Sequence, residues 1–372
     1  MGADFYQKAV SCMNNKTDWL QTQANFKTWW KREDMSRPLM SIVARHDDAP
    51  GSPEPADAPL TPEDMHLNVE RKVKNMRHYC RTHTFMAEAF PYLSIDIGPG
   101  SLATYLGAEP VFAWDTVWYQ ECARELDDLG KIVYNPENFW WKKHLALVRK
   151  AKDLAQDDFL VAIPDIIENL DIISAMRGPQ NLCYDLIDHP DTVKNYVRQV
   201  DDVYFNYYNA MYEATRDQDG SSCYTAFSIW GPDKTAKVQC DFSAMMSPRQ
   251  FRDFVLPSLE RQVSSLDNSI YHLDGKDAIK HLDALMELEK LDGLQWTAGA
   301  AQPDGGIEKW YPIYSKVRQA GKALWISIYD GGIDEWIRSA RNLVNRYGTS
   351  GMFLLFPEMT EQEADRIMNI SW

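Results

Sequence analysis

The stretch Ile270-Tyr271-His272-Leu273-Asp274-Gly275 decides how this chain reads. A short apolar run delivers a histidine and an aspartate two residues apart. A glycine follows at once, and 278–288 then has helical spacing. Along a strand, residues i and i+2 leave the backbone on the same side. An imidazole and a carboxylate therefore leave the end of one buried strand side by side. A strand that ends this way and feeds a helix is a unit of a parallel barrel, where chemistry sits at the strands' carboxyl ends. Taken by itself, the segment equally describes a histidine held by an aspartate for structure alone.

Outward from this point, strand and helix alternate. Apolar strands are expected at 39–44, 92–96, 159–163, 224–229, 269–273, 291–296, 323–328 and 351–356. Helices are expected at 4–34 with Asp4 as its cap, 62–85, 135–156, 171–216 with a break near His189-Pro190, 247–266, 278–288 and from about Thr360. Residues 47–62 are too rich in Pro, Ala and Asp for regular structure and read as a surface loop. Short continuous apolar strands separated by helices describe a parallel sheet covered on both faces. The pattern predicts an α/β fold, a (β/α)₈ TIM barrel with inserted loops and an N-terminal helical extension over 1–36. All of 1–372 is expected to be one domain. No GxGxxG follows the first strand and no GxxxxGK[ST] occurs, which argues against the common nucleotide-binding folds.

The formal net charge of -15 disfavours nucleic acid and anionic membrane surfaces, which call for basic faces. No apolar run approaches the roughly 20 residues of a membrane helix. The cysteines at 12, 80, 122, 183, 223 and 240 form no CxxC pair, and nothing at the N-terminus reads as a signal peptide. Reduced thiols in a cytoplasm are the expectation. Self-association into a homo-oligomer is left open. The 13 tryptophans serve a large core first, and a minority can line a pocket.

In a parallel barrel the residues that close each strand are the candidates for chemistry. Asp96, Asp165 and Asp330 close strands and are the candidate proton-transfer or anchoring groups, with helix capping or turn chemistry as the plain alternative for Asp165 and Asp330. His272 and Asp274, completed by Glu358 or by Cys240, make a candidate three-ligand metal site with an open position. For Cys240 the plain alternative is a buried apolar thiol. Trp114, Trp230, Trp296, Tyr329 and Gln295 are the candidate substrate-binding residues, the aromatics suiting a flat ring or a methylammonium group.

Arg37-Pro38, the segment Asp241 to Pro257 (DFSAMMSPRQFRDFVLP) and His272-Leu273-Asp274-Gly275 together resemble the uroporphyrinogen decarboxylase superfamily. The resemblance runs in order from about residue 30 to the end, and it implies a (β/α)₈ barrel with its pocket at the strands' carboxyl ends. True decarboxylases of that superfamily carry an arginine-rich segment after the first strand. Here that place holds Arg45-His46-Asp47-Asp48, a poor cradle for a polycarboxylate. The corrinoid-dependent methyltransferase branch is the nearer one. Its thiol-methylating members bind zinc through His-x-Cys and a later Cys, matched here by His272, Asp274 and, approximately, Glu358. Carboxylates in place of thiolates make a harder site. The resemblance thus implies transfer of a methyl group from a small methoxy or methylamine compound to the cobalamin of a partner protein, with zinc as cofactor. The alternatives are a metal-assisted hydrolase or lyase on a sugar-like substrate, a decarboxylase, or a non-catalytic binding protein.

Overall fold

A computed structural model describes residues 13–46 and 58–372. The expected Asp4 cap, the first turns of the N-terminal helix, Cys12 and most of the 47–62 loop lie outside the described residues. In chain order the strands are β1 (Leu39–Arg45), β2 (His83–Ala87), β3 (Tyr92–Leu93), β4 (Glu109–Phe112), β5 (Val117–Gln120), β6 (Leu160–Val161) and β7 (Ser222–Tyr224). They continue with β8 (Ile229–Gly231), β9 (Thr235–Gln239), β10 (Asn268–Asp274), β11 (Gly293–Thr297), β12 (Ala323–Ser327), β13 (Met352–Leu355) and β14 (Met359–Thr360).

The main sheet has eight strands in the order β14-β1-β13-β12-β11-β10-β9, with β2 paired to β1. Every pairing along that order is parallel, whereas β2 runs antiparallel to β1. β3 and β6 form a separate parallel pair, and β7 joins it through one parallel bridge between Ile163 and Tyr224. The fold is therefore α/β around a parallel sheet. Among the described residues the hydrogen-bonded ladder does not close into the expected eight-stranded ring.

Side chains stand where the two missing ladders would be. On the free edge of β9, the Gln239 N–H donates to Glu168 (3.0 Å) and the Gln239 carbonyl accepts from Asn169 Nδ2 (2.8 Å). Beside β1, the antiparallel β2 occupies the edge that β3 would use, and the Met40 N–H donates to the Glu88 carboxylate (2.9 Å). Buried backbone groups are thus satisfied without a continuous sheet.

Two apolar clusters lie on opposite faces of the strands. The larger packs the sheet against the surrounding helices. The smaller gathers Leu39 of β1, Leu160 of β6, Ile270 of β10, Ala323 and Trp325 of β12 and Phe353 of β13. Strands so far apart in the sheet order meet in one cluster because the sheet curls around it. The helix Trp19–Trp30 adds Trp19, Phe26, Trp29 and Trp30 to this cluster, and Trp30 Nε1 donates to the Trp230 carbonyl (2.9 Å).

The run expected as a strand at 224–229 is instead a hairpin, β7 and β8, with a tight turn at 225–228. Phe227 and Ser228 have φ of 63° and 51°, the left-handed backbone such a turn demands. The strand of the main sheet lies later, at β9. The expected helix at 62–85 ends earlier: Val69–Thr82 is its main part, and 83–87 is extended as β2. The long 171–216 helix is three helices, Asn169–Arg177, Pro179–Asp188 and Pro190–Thr215. The second begins at Pro179 and the third at Pro190, and a proline suits the first turn of a helix and breaks its interior.

Candidate metal and substrate site

The site sits at the carboxyl ends of β9 and β10. In register, His272 lies between Gln239 of β9 and Gln295 of β11, and Asp274 lies beside Thr297. Neighbours in register share a face, so Gln239, His272 and Gln295 project together, and Asp274 follows two residues on. Gly275 ends β10 with φ of 74°, a conformation that costs a glycine little. After β9 the chain turns through Cys240 into the short helix Asp241–Met245. Asp171, on the helix Asn169–Arg177, caps that turn by accepting the N–H groups of Asp241 (2.9 Å) and Phe242 (2.8 Å).

This turn carries Asp241 to the end of β10. Asp241, His272 and Asp274 each offer one ligand atom, and these atoms lie within 4.8 Å of one another. It is the one such group among the described residues. The imidazole is fixed from behind: its Nδ1 faces Gln295 Oε1, while Gln295 Nε2 donates to Thr297 Oγ1 (2.9 Å). With Nδ1–H as donor, Nε2 keeps its lone pair. On the other side Gln239 Nε2 donates to Asp241 (2.9 Å) and to Asp171 (3.2 Å). The Phe227 ring lies against His272, with centroids 4.9 Å apart.

The electrostatics follow from crowding. Burial, then the Lys237 ammonium, pushes the His272 imidazole down to about 4, so it stays neutral. Asp241 is open to solvent on the cleft side, yet the protein enclosing it and the neighbouring Asp171 push its carboxyl up to about 7, and burial raises Asp274. The ammonium of Lys237 is already engaged: it pairs with Asp165 at 2.7 Å. Carboxylates gathered with so little counter-charge favour a bound cation.

Asp241 also forms part of the wall of a cleft of about 580 Å³. Trp118 and Tyr119 of β5, with Phe242 and Met245, give it aromatic and apolar surface, and its carboxyl side chains are Glu121, Asp171 and Asp241. No Lys or Arg lines it.

The expected site residues divide. His272 and Asp274 come together. Gln295 orients His272 from behind and is buried away from the cleft. Asp241 stands where Glu358 or Cys240 was expected. Glu358 lies elsewhere, accepting from Tyr79 OH (3.1 Å) and pairing with His83 (3.2 Å). The Cys240 thiol is buried, and that burial pushes its pKa well up. Asp165 is the buried partner of Lys237 and accepts from Tyr224 OH (3.0 Å). Burial, then the Asp165 charge, pushes Asp96 up to about 6. Asp330 is exposed and makes a reciprocal clasp with Asp304, which is turn chemistry. Trp230 packs against Trp19 and Phe26 in the inner core, and Trp296 packs against Trp310, so neither ring can reach a ligand. Trp114 sits exposed in the β4–β5 turn, and Tyr329 is exposed beside the Asp304 clasp. The aromatic wall comes instead from Trp118 and Tyr119, four and five residues after Trp114. Asp241 itself was in view in the sequence, inside the DFS motif, with nothing local to mark it as a ligand.

No family model matches the chain. A UDP-N-acetylmuramoylalanine--D-glutamate ligase of Rickettsia felis (strain ATCC VR-1525 / URRWXCal2) is 28% identical over 90 residues, which are 24% of this chain. The chain spans 18% of that protein's length, so the likeness is local. Among solved structures, a methyltransferase from Methanosarcina mazei matches with a TM-score of 0.59 at 13% identity, covering 93% of this chain and 97% of that one. At that identity the likeness is one of fold, and it extends over nearly the whole chain.

Proposed function

We propose that this chain is a methyltransferase on a (β/α)₈-type barrel, passing a methyl group from a small methoxy or methylamine compound to the corrinoid of a partner protein. The observation that carries the reading is the convergence of Asp241, His272 and Asp274 at the strands' carboxyl ends, beside an aromatic-walled cleft that shares Asp241. The fold likeness to a methyltransferase supports it.

The donor set fits zinc: one imidazole with its lone pair free and two carboxyls raised by burial, Asp241 also by a neighbouring charge. Asp241, His272 and Asp274 would hold the ion, and bound zinc would polarise the heteroatom that the methyl group leaves. The chain's own residues do the rest. Gln295 keeps the imidazole in its ligand tautomer. Gln239 holds Asp241 toward the centre. Trp118 and Tyr119 pack the donor and exclude water. Asp96, whose carboxyl burial pushes up to about 6, is the proton-donor candidate carried over from the sequence, although it is not part of the cleft wall. A cleft without a basic residue does not suit a polycarboxylate, which weighs against decarboxylation of such substrates.

The test is metal analysis of the purified protein, followed by a screen of methylated compounds with free cob(I)alamin as acceptor. Stoichiometric zinc, its loss in His272→Ala, and methylcobalamin formed from one donor are expected. Metal-free protein that keeps full activity as His272→Ala rejects the reading. A second reading, a metal-assisted hydrolase or lyase on a sugar-like substrate, draws on Asp171 and Asp241 facing the same aromatic cleft. Cleavage products formed without any methyl acceptor would favour it.

A further inference from the structure

Behind the site, away from the substrate cleft, lies a second and smaller cavity of about 50 Å³. Glu168, Tyr204 and Gln262 line it and are almost wholly buried; Arg261 and Ser265, which also line it, are exposed. It therefore runs inward from the surface between the helices Pro190–Thr215 and Leu256–Val263. Its inner end is polar and unsatisfied. Glu168 Oε2, Tyr204 OH and both side-chain polar atoms of Gln262 lack a hydrogen bond. The Gln262 amide lies close enough to Glu168 and to Tyr204 to favour the anion of each, but in none of these approaches does it reach good hydrogen-bond geometry.

Unpaired buried polar atoms are costly, so several facing one cavity call for a common partner. The group contains a carboxyl oxygen, an amide oxygen, an amide nitrogen with two donors and a hydroxyl that can donate and accept. That mixture suits water and suits no single ion. A cavity needs about 10–15 Å³ of such volume per water, so this one admits a short chain.

We propose that this cavity holds ordered water linking Glu168 to solvent, and that Glu168 exchanges its proton with bulk solvent through that chain. The proton leaves Glu168 Oε2 for the nearest water, which passes a proton of its own outward toward Asp201 and the surface. The carboxylate left behind keeps the Gln239 N–H on Oε1. The charged groups facing Glu168 are Lys237 from β9, which favours the anion, and Asp171 from the helix that Glu168 precedes, which opposes it; Tyr204, Tyr224, Cys240 and Tyr271 face it from the neighbouring elements. Burial pushes the carboxyl up to about 8, so a proton is present to exchange near neutrality. Through Oε1 Glu168 also holds the backbone of Gln239, whose side-chain amide holds Asp241.

The experiment is infrared spectroscopy of the full chain at pH 6 to 7. A protonated-carboxyl band that Glu168→Gln removes is expected, and on transfer to D₂O it should shift at once. In Gln262→Leu combined with Tyr204→Phe, which removes the groups that bind the water, that shift should slow at least tenfold while the band remains. Should the double variant unfold, Ser265→Leu at the mouth gives the same readout with the inner groups intact. Oxygen-17 relaxation dispersion should separately show fewer long-lived waters in the double variant. A band that exchanges equally fast in the double variant and in Ser265→Leu overturns the proposal. So does an unchanged count of long-lived waters.

Discussion

His272 directs Nδ1 at the side-chain oxygen of Gln295, its neighbour in the β10–β11 register, and Gln295 is held in turn by Thr297. A metal-binding imidazole is commonly oriented by such an acceptor, and losing it typically weakens binding 10–100-fold. Gln295→Leu should lower zinc affinity by that order, whereas Gln295→Glu should largely retain it. A chelator competition titration measures both. Equal affinity in Gln295→Leu and the parent chain would show that Gln295 does not set the tautomer.

Removal of Asp241 or Asp274 as asparagine should abolish tight zinc binding, because each supplies one of the grouped ligand atoms. Glu358→Gln and Cys240→Ala should leave zinc stoichiometry unchanged. Glu358 is half-exposed and tied to His83 and Tyr79, so its loss should cost no more than about 1 kcal/mol. Cys240 is a packed thiol, and its truncation should cost on the order of 1 kcal/mol of stability. Zinc lost from Glu358→Gln would return that residue to the ligand set.

The sequence carried much of this arrangement, for physical reasons that also explain the gaps. Strands such as 269–273 and 323–328 are apolar on both faces, and few other structures accept such runs. β9 went unseen because its residues, TAKVQ, place Lys237 and Gln239 among the buried groups of the site, and a polar strand does not look buried. The 224–229 run looked like one strand because its turn, Thr225 to Ser228, contains neither Gly nor Pro; the left-handed backbone falls on Phe227 and Ser228. His272 and Asp274 were legible because two-residue spacing puts them on one side. Asp241 was not, because it reaches them across a ladder between distant segments. Burial of Trp230 and Trp296 is a tertiary outcome, and spacing along the chain does not distinguish a core ring from a pocket ring.

Lys237 and Asp165 form a buried ion pair at 2.7 Å that bridges the gap between β9 and the β6 segment, where no backbone ladder exists. Breaking a buried pair by deleting one partner typically costs about 3–5 kcal/mol, since the other charge stays buried and unpaired. Lys237→Met should lose that much in denaturant unfolding. Lys237→Met combined with Asp165→Asn should lose less than the single change, because no charge remains to be compensated. Additive losses in the double variant would show that the two side chains act independently.

His144 gives the clearest dependence on pH. It is fully buried, its Nε2 donates to the Ile95 carbonyl (2.9 Å), and its Nδ1 accepts from Tyr105 OH (2.7 Å). Both nitrogens are satisfied in the neutral ring, and burial disfavours the charged one. Burial pushes its pKa down to about 4, against about 6.5 for an unfolded histidine. Between those values the unfolded chain binds a proton that the folded chain refuses, so stability is full above pH 6.5 and falls as the pH drops toward 4. The loss from this one group should be about 3 kcal/mol. His144→Gln, which keeps a donor for the Ile95 carbonyl, should start less stable at pH 7 and lose correspondingly less between pH 7 and 4. Denaturant midpoints at several pH values, with chelator present in both samples, isolate the difference, because carboxylates titrating in the same window cancel between the two proteins. Parallel stability curves for the parent chain and His144→Gln would mean that this ring takes up its proton in the folded state as readily as in the unfolded one.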